Sequence, residues 1–281
     1  MSLSSKTEVR RCRPLLGTFV EITASGLEDD ALQGAVNAAF CAIENVHHAL
    51  SVHEPDSELS LLNRDAASHP VKVTRQTFAI LLRAHELASE SGGAFDHTVA
   101  PMLARWGLLP PALRRRKAGA WQDVLLLSGC KVQFLKPLAL DLGGIAKGFA
   151  VDAAIEVLRR KGVKSAIVNA GGDLRLFGDQ PSTVHLRHPA TPQLIAHTIE
   201  LRDCALASSS PCFTQKSWRG QLVSHLVNPI TRSAVTGPMS VSICAGECWL
   251  ADALTKVVLN APQGARRLLA KYTAEAFVLT A

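Results

Sequence analysis

The sequence predicts an α+β fold, with helices packed on antiparallel sheets in one unit. Three observations predict it. Long segments place apolar residues at helical spacing, and short segments between positions 174 and 244 read as strands separated by turn residues. No repeat, low-complexity stretch or obvious linker divides the chain. With 281 residues, 47% of them hydrophobic, the chain can bury a large core, and length alone allows one or two domains.

The elements follow in order. Residues 1–12 are polar and basic and read as a disordered tail before a unit spanning 13–281. Gly17–Ala24 alternates like a strand, and Ala31–Leu50 is a long helical pattern. His47 and His48 near its end are adjacent, so their rings point to different faces and do not clip a metal. Thr74–Ser91 reads as a second helix, with Thr74 as N-cap and Gly92-Gly93 past its end. Pro101–Trp106 is a short helix and Pro110–Ala120 a polar loop; Leu125–Phe134 and Leu138–Asp141 are strand material. Gly143–Lys161 is amphipathic through Ile145, Phe149, Ile155 and Leu158, Gly162 closes it, and the strand Lys164–Val168 follows. Leu174–Phe177, Val184–Arg187, Thr198–Leu201, Leu222–Leu226 and Met239–Cys244 read as antiparallel strands. Leu250–Asn260 is a helix stopped at Pro262, Gln263–Lys271 another, and Ala276–Thr280 the closing strand.

A net charge of +6 favours anionic ligands, but the basic residues are scattered. The one dense cluster, Arg114–Lys117, reads as a solvated loop. With a single Tyr and no aromatic-basic interleaving, a base-stacking platform for nucleic acid is poorly supported. Seven dispersed cysteines form no C-x-x-C pair, and Cys244 and Cys248 lack a matching second pair for zinc. Buried free thiols and a reducing compartment are expected. No apolar run is long enough to span a membrane, and the N-terminus lacks the apolar core of a signal peptide. The chain as it stands reads as cytoplasmic, or as periplasmic if an export leader has been removed.

Chemistry concentrates in Asp141-Leu142-Gly143-Gly144-Ile145-Ala146-Lys147-Gly148, where adjacent glycines open onto a helix. Such a turn brings backbone N–H groups close to an anion, the helix N-terminus adds a positive dipole end, and Lys147 adds a cation. Neither common phosphate fingerprint is present, so a plain tight turn is the competing reading. Other polar segments follow apolar runs: Asn169-Ala170-Gly171-Gly172-Asp173, Ser208-Ser209-Ser210, Ser224-His225-Leu226-Val227-Asn228-Pro229, and Ala251-Asp252-Ala253-Leu254. Earlier come Arg13–Thr18, Leu50–Asn63 and Gly93–Pro101.

In this order and spacing, these segments resemble the ApbE family, the FAD:protein FMN transferases, from about Arg13 to Ala281. The resemblance implies a T-fold-like α+β unit with a flavin cleft between two subregions. It implies transfer of FMN from FAD to a Thr or Ser hydroxyl of an acceptor protein, with release of AMP. By resemblance, Gly143, Gly144 and Lys147 lie beside the diphosphate. The carbonyl of Ala146 and the carboxylate of Asp252 are implied ligands of Mg²⁺, with His225 a candidate for proton transfer. Gly171, Gly172 and Asp173 correspond to the family's Gly-Gly-Asp, for which a flavin or ribose contact competes with an Asx turn. His53 stands where the family often has Tyr. Phe95, Asp96 and Thr98 correspond to the flavin-side wall, Phe95 serving equally as core. Ser208 and Ser209 are candidate donors to adenine or phosphate, or an exposed turn.

Two departures matter. The family's Ala-Asp-Ala-Leu-Ala-Thr is here Ala251-Asp252-Ala253-Leu254-Thr255-Lys256, so Lys256 replaces a Thr that would join the metal shell. Thr255, at i+3 from Asp252, is the candidate metal ligand in its place, and Lys256 either pairs with Asp252 or meets phosphate in place of a metal. The family's Asp-Pro-x-Thr-Gly is here Asn228-Pro229-Ile230-Thr231-Arg232, so Asn228 replaces the Asp and is a candidate turn cap. These departures, with His53 in the family's Tyr position, keep open a non-catalytic FAD-binding protein, or a hydrolase of the FAD diphosphate.

Overall fold

The computed structural model describes residues 7–281. The chain opens with a hairpin of β1 (Glu8–Leu15) and β2 (Thr18–Ser25), then α1 (Asp29–Leu50) and α2 (Glu58–Asp65). β3 (Val71–Lys72), α3 (Arg75–Glu90) and α4 (Ala100–Arg105) lead to β4 (Val124–Leu127), β5 (Lys131–Phe134) and α5 (Ala146–Arg160). β6 (Ser165–Ala170), β7 (Asp173–Phe177), β8 (Ser182–Arg187), β9 (Ile195–Leu201) and β10 (Ala205–Ser209) follow. Two small hairpins come next, β11 (Lys216–Trp218) with β12 (Gln221–Val223), and β13 (Val227–Asn228) with β14 (Ser233–Ala234). β15 (Met239–Ala245), α6 (Cys248–Asn260), α7 (Pro262–Lys271) and β16 (Glu275–Thr280) end the chain.

The centre is a seven-stranded antiparallel sheet in the order β1-β2-β6-β7-β10-β15-β16. Strand alternation sends successive side chains to opposite faces. On one face Ala166, Val168, Ala170, Ala205, Ala207, Val241 and Ile243 meet the buried sides of α1, α5 and α6 in one core that runs from Val9 to Leu268. On the other face Leu174, Leu176 and Leu206 meet Leu186, Ile199 and Leu201 of the β8–β9 hairpin in a smaller core. A three-stranded sheet, β3-β5-β4, stands apart.

Several expectations change. Residues 8–12 of the expected tail lie in β1, which pairs along its length with β2; the tail's first six residues lie outside the described residues. Exposed charges explain the misreading, since Glu8 and Arg10 decorate the outer face of an edge strand. Leu138–Asp141 forms no strand. It is a buried connection whose Leu140 backbone is satisfied by Asn63, donating to Leu140 O at 3.0 Å and accepting from Leu140 N at 2.7 Å. The Leu125–Phe134 run is broken by a turn at Gly129 and Cys130, both at positive φ. Within the expected polar loop, Pro111–Arg115 is a 3₁₀ turn. Of the thiols only Cys248 is buried; Cys12 and Cys41 are exposed, and the sulfurs of Cys204 and Cys244 lie 3.7 Å apart.

Candidate functional site

The site is assembled where α5 and α6 start side by side. Asp152 of α5 caps α6, accepting from Cys248 N at 3.0 Å and Trp249 N at 2.8 Å, while Arg175 of β7 donates to it at 2.7 Å. This satisfies orphan N–H groups that every helix start exposes. Gly148 permits the approach, because a Cβ there would overlap the Cys248 carbonyl. Its backbone N–H donates to Asp252 Oδ2 at 3.2 Å.

Asp252 is fully buried. Lys256, one turn later, bonds to Asp252 Oδ1 and donates to the Asp252 carbonyl at 3.0 Å. Lys147 bonds to Asp173 and lies 3.7 Å from Asp252 Oδ2. Two buried carboxylates thus share two ammonium groups. Burial alone would raise the Asp252 carboxyl, but Lys147 and Lys256 outweigh it and hold it below the ordinary range. Asp173 is pushed up by burial and by the neighbouring Asp252 charge. Lys147 is held above its usual value: its own burial is overcome by Asp173 and Asp252.

Above this floor opens a cavity of about 760 Å³, within the size range of ligand pockets. Gly143, Gly144, Ala146, Lys147 and Lys256 line it, as do Gly171, Ser208, Ser209 and His225. The Gly144 turn sits against Lys256: a Cβ on Gly144 would be 3.5 Å from both Lys256 Cε and Phe95 Cε2. His53, Phe95 and Asp96 also border the cavity, beside apolar Leu16, Leu50 and Leu103. Phe95 belongs to the main core as well, so it is both wall and core. Asp96 is engaged structurally, accepting from Thr98 N at 2.8 Å and Trp121 N at 3.1 Å.

Five expected residues do not line the cavity: Asp252, wholly buried beneath the two lysines, and four more. Thr98 is buried and faces a separate pocket of about 190 Å³. Gly172 turns its N–H to Asn169 Oδ1 at 2.9 Å. Asp173 is covered by Lys147, so it holds the lysine instead of a ligand. Thr255 is buried; its hydroxyl donates to Asp252 O at 2.6 Å and lies 2.7 Å from Ser209 Oγ. Ser208 and Ser209 form no exposed turn: they end β10, Ser208 Oγ lying 2.7 Å from Ser242 Oγ.

His225 sits in a bend held by Ser224, whose hydroxyl donates to Val235 O at 2.7 Å and accepts from Leu226 N at 3.1 Å. Burial and then Lys216 lower its pKa, so the imidazole is neutral at neutral pH. Asn228 caps the next turn, accepting from Ile230 N and Thr231 N, each at 3.0 Å.

The donor set does not fit a Mg²⁺ ion at Asp252. Oδ1 is occupied by Lys256, Oδ2 by the Gly148 N–H and the nearby Lys147, and the Thr255 hydroxyl is directed elsewhere. Among the described residues no three His, Cys, Asp or Glu side chains cluster to hold a metal.

Sequence reasoning gave no role to Asp152 or Asn260, and it took Gly148 only as the end of the glycine loop, not as the helix contact. Asn260 Nδ2 donates to Ala94 O at 2.9 Å and Val227 O at 3.1 Å, tying two cavity walls to the end of α6. The i+4 step from Gly148 to Asp152 on one helix face was the available signal for Asp152 and for that contact.

Apolar walls, a double-glycine turn and two lysines over buried carboxylates define a binding protein for a large ligand with an anionic segment. The chain belongs to the ApbE family, whose pattern it matches over residues 16–278. It is 30% identical over 229 residues to an FAD:protein FMN transferase of Vibrio cholerae, covering 75% of this chain and 69% of that protein. It is 30% identical over 278 residues to the FAD:protein FMN transferase of Treponema pallidum, covering 88% and 77%. Its fold matches the ApbE protein of Thermotoga maritima with a TM-score of 0.85 at 24% identity, over 97% of this chain and 94% of that one. It matches the flavin transferase ApbE of Vibrio cholerae with a TM-score of 0.83 at 24% identity, over 97% and 93%.

Proposed function

We propose that this protein is an FAD:protein FMN transferase that moves FMN from FAD to a Thr or Ser hydroxyl of an acceptor protein and releases AMP. The observation that carries the reading is the convergence of the Gly143–Gly144 turn and Lys256 at the floor of a 760 Å³ cavity. Phosphoryl transfer needs aimed donors and cations more than covalent help. Lys147 and Lys256 supply the cations that face the cavity, and the glycine turn supplies close backbone access. His225, exposed toward the cavity and neutral, takes the hydroxyl proton. Phe95 and the apolar wall receive the flavin ring system.

The test combines the full chain with FAD, Mg²⁺ and a peptide carrying a Ser/Thr-Gly-Ala-Thr acceptor segment, followed by mass spectrometry and AMP quantification. A peptide gaining one FMN with equal AMP release is the expected result. AMP and free FMN without a peptide adduct would mean hydrolysis instead. FAD bound without any turnover would reject the transferase reading.

A further inference from the structure

The ammonium of Lys256 is anchored by both the carboxylate and the backbone carbonyl of the same residue, Asp252. Its side chain is 15% exposed, and its stem packs against the Gly144 turn. Two of its three N–H donors are thereby used, and the third is free for an oxygen in the cavity. We infer that this chain holds and cleaves the FAD diphosphate without a divalent cation, the Lys256 ammonium standing against Asp252 where a metal would otherwise sit. The inference rests on the FMN-transferase reading.

Three physical points carry it. First, a divalent ion at Asp252 must displace an ammonium from a carboxylate that is wholly buried, and it then sits beside two lysine charges with little water between them. Second, Mg²⁺ demands about six oxygen ligands at near-octahedral geometry. Here the Asp252 oxygens are taken and the Thr255 hydroxyl is committed to Ser209 and to Asp252 O. Third, the floor is already balanced, with Asp173 and Asp252 facing Lys147 and Lys256. The fixed ammonium groups do not have to be recruited from solution, which is the preorganisation an electrostatic site needs.

The step balances without a metal. The acceptor hydroxyl oxygen bonds to the FMN-side phosphorus as that phosphorus loses the bridging oxygen to AMP. The hydroxyl proton passes to His225 and then to solvent. AMP leaves with the bridging oxygen and its electron pair, its growing charge met by Lys256 and Lys147. No electron is transferred.

FAD affinity of the full chain, read by fluorescence quenching, tests this in excess chelator and again with added Mg²⁺. The wild-type Kd is expected to agree within about twofold between the two conditions. Lys256→Thr is expected to weaken FAD binding in chelator by about tenfold or more, the loss of one charge-assisted contact. A wild-type Kd that worsens about tenfold in chelator and recovers with Mg²⁺ overturns the inference and leaves the FAD reading standing. Lys256→Thr binding FAD in chelator as tightly as wild type also overturns it. No FAD binding under either condition removes both readings. The wild-type comparison stands even if the variant does not fold.

Discussion

Lys147 shows how one side chain couples stability to the site. It joins Asp173 and approaches Asp252, so its removal leaves two buried carboxylates with Lys256 alone. Breaking a fully buried pair costs about 3–5 kcal/mol; because the Lys147 side chain is 35% exposed, Lys147→Met is expected to cost about 2–3 kcal/mol by urea unfolding. The deficit should narrow as pH falls, because Asp173, already pushed up by burial and Asp252, can take a proton. A pH-independent deficit would mean that lost packing, and not charge, explains the cost. His97 tests burial in another way. It is buried, both ring nitrogens lack partners, and burial pushes its pKa down to about 3. The unfolded imidazole takes a proton near pH 6.5 and the folded one does not, so stability is present above about 6.5 and is lost as pH falls. Between pH 7 and 5 the loss should be about 2 kcal/mol, and His97→Met should remove that slope. Equal slopes in the two proteins would refute the assignment. The backbone of His97 matters too, since its carbonyl accepts from Asp141 N at 2.8 Å just ahead of the double-glycine turn.

At the scale of elements, the junction of α5 and α6 decides the geometry. Gly148→Ala forces the new methyl into the Cys248 carbonyl, a backbone atom that cannot swing away. The expected cost is about 3 kcal/mol, the upper end of ordinary overpacking, with FAD affinity lost because Asp252 and Lys256 ride on the displaced helix. Thermal unfolding together with FAD titration checks both; unchanged affinity would separate the junction from the site. The same elements show what a sequence can reveal. α1, α3, α5 and α6 were legible through long apolar periodicity, to which α3 adds a local cap: Thr74 accepts from Thr77 N at 3.3 Å. α2 was not, because eight residues are too few to separate a helical pattern from a loop. It is fixed by the Ser57 cap, which accepts from Ser60 N at 3.0 Å, and by Glu58 accepting from Thr74 N at 2.8 Å. Thr255 and Asp173 illustrate a different limit. Spacing placed them near Asp252 and the glycine turn, but only strand alternation and helix packing determine that one hydroxyl meets Ser209 and that one carboxylate lies beneath Lys147.

At the scale of the molecule, the cavity draws on segments separated by most of the chain, from Leu16 to Asn260. The central sheet sets this arrangement: β6, β7, β10 and β15 are consecutive neighbours, so the turns after β6 and β10 and the helix after β15 come together. The seven-stranded order was not readable, because antiparallel pairing of short strands is decided by the packing of both faces. The order of motifs was readable because it survives without knowledge of pairing. A ligand that spans these segments must stabilise the whole fold, since it binds the folded chain and not the unfolded one. At about one hundred times its Kd, FAD should add about 3 kcal/mol. For a chain of 281 residues, that corresponds to a rise of about 5 °C in the unfolding midpoint. FMN or AMP alone should shift the midpoint less, because each offers only one of the two parts joined across the lysine floor. Scanning calorimetry with the three ligands at matched concentrations decides it. Equal shifts from FAD and AMP would place all the binding in the nucleotide half, and the apolar wall around Phe95 would then be core alone.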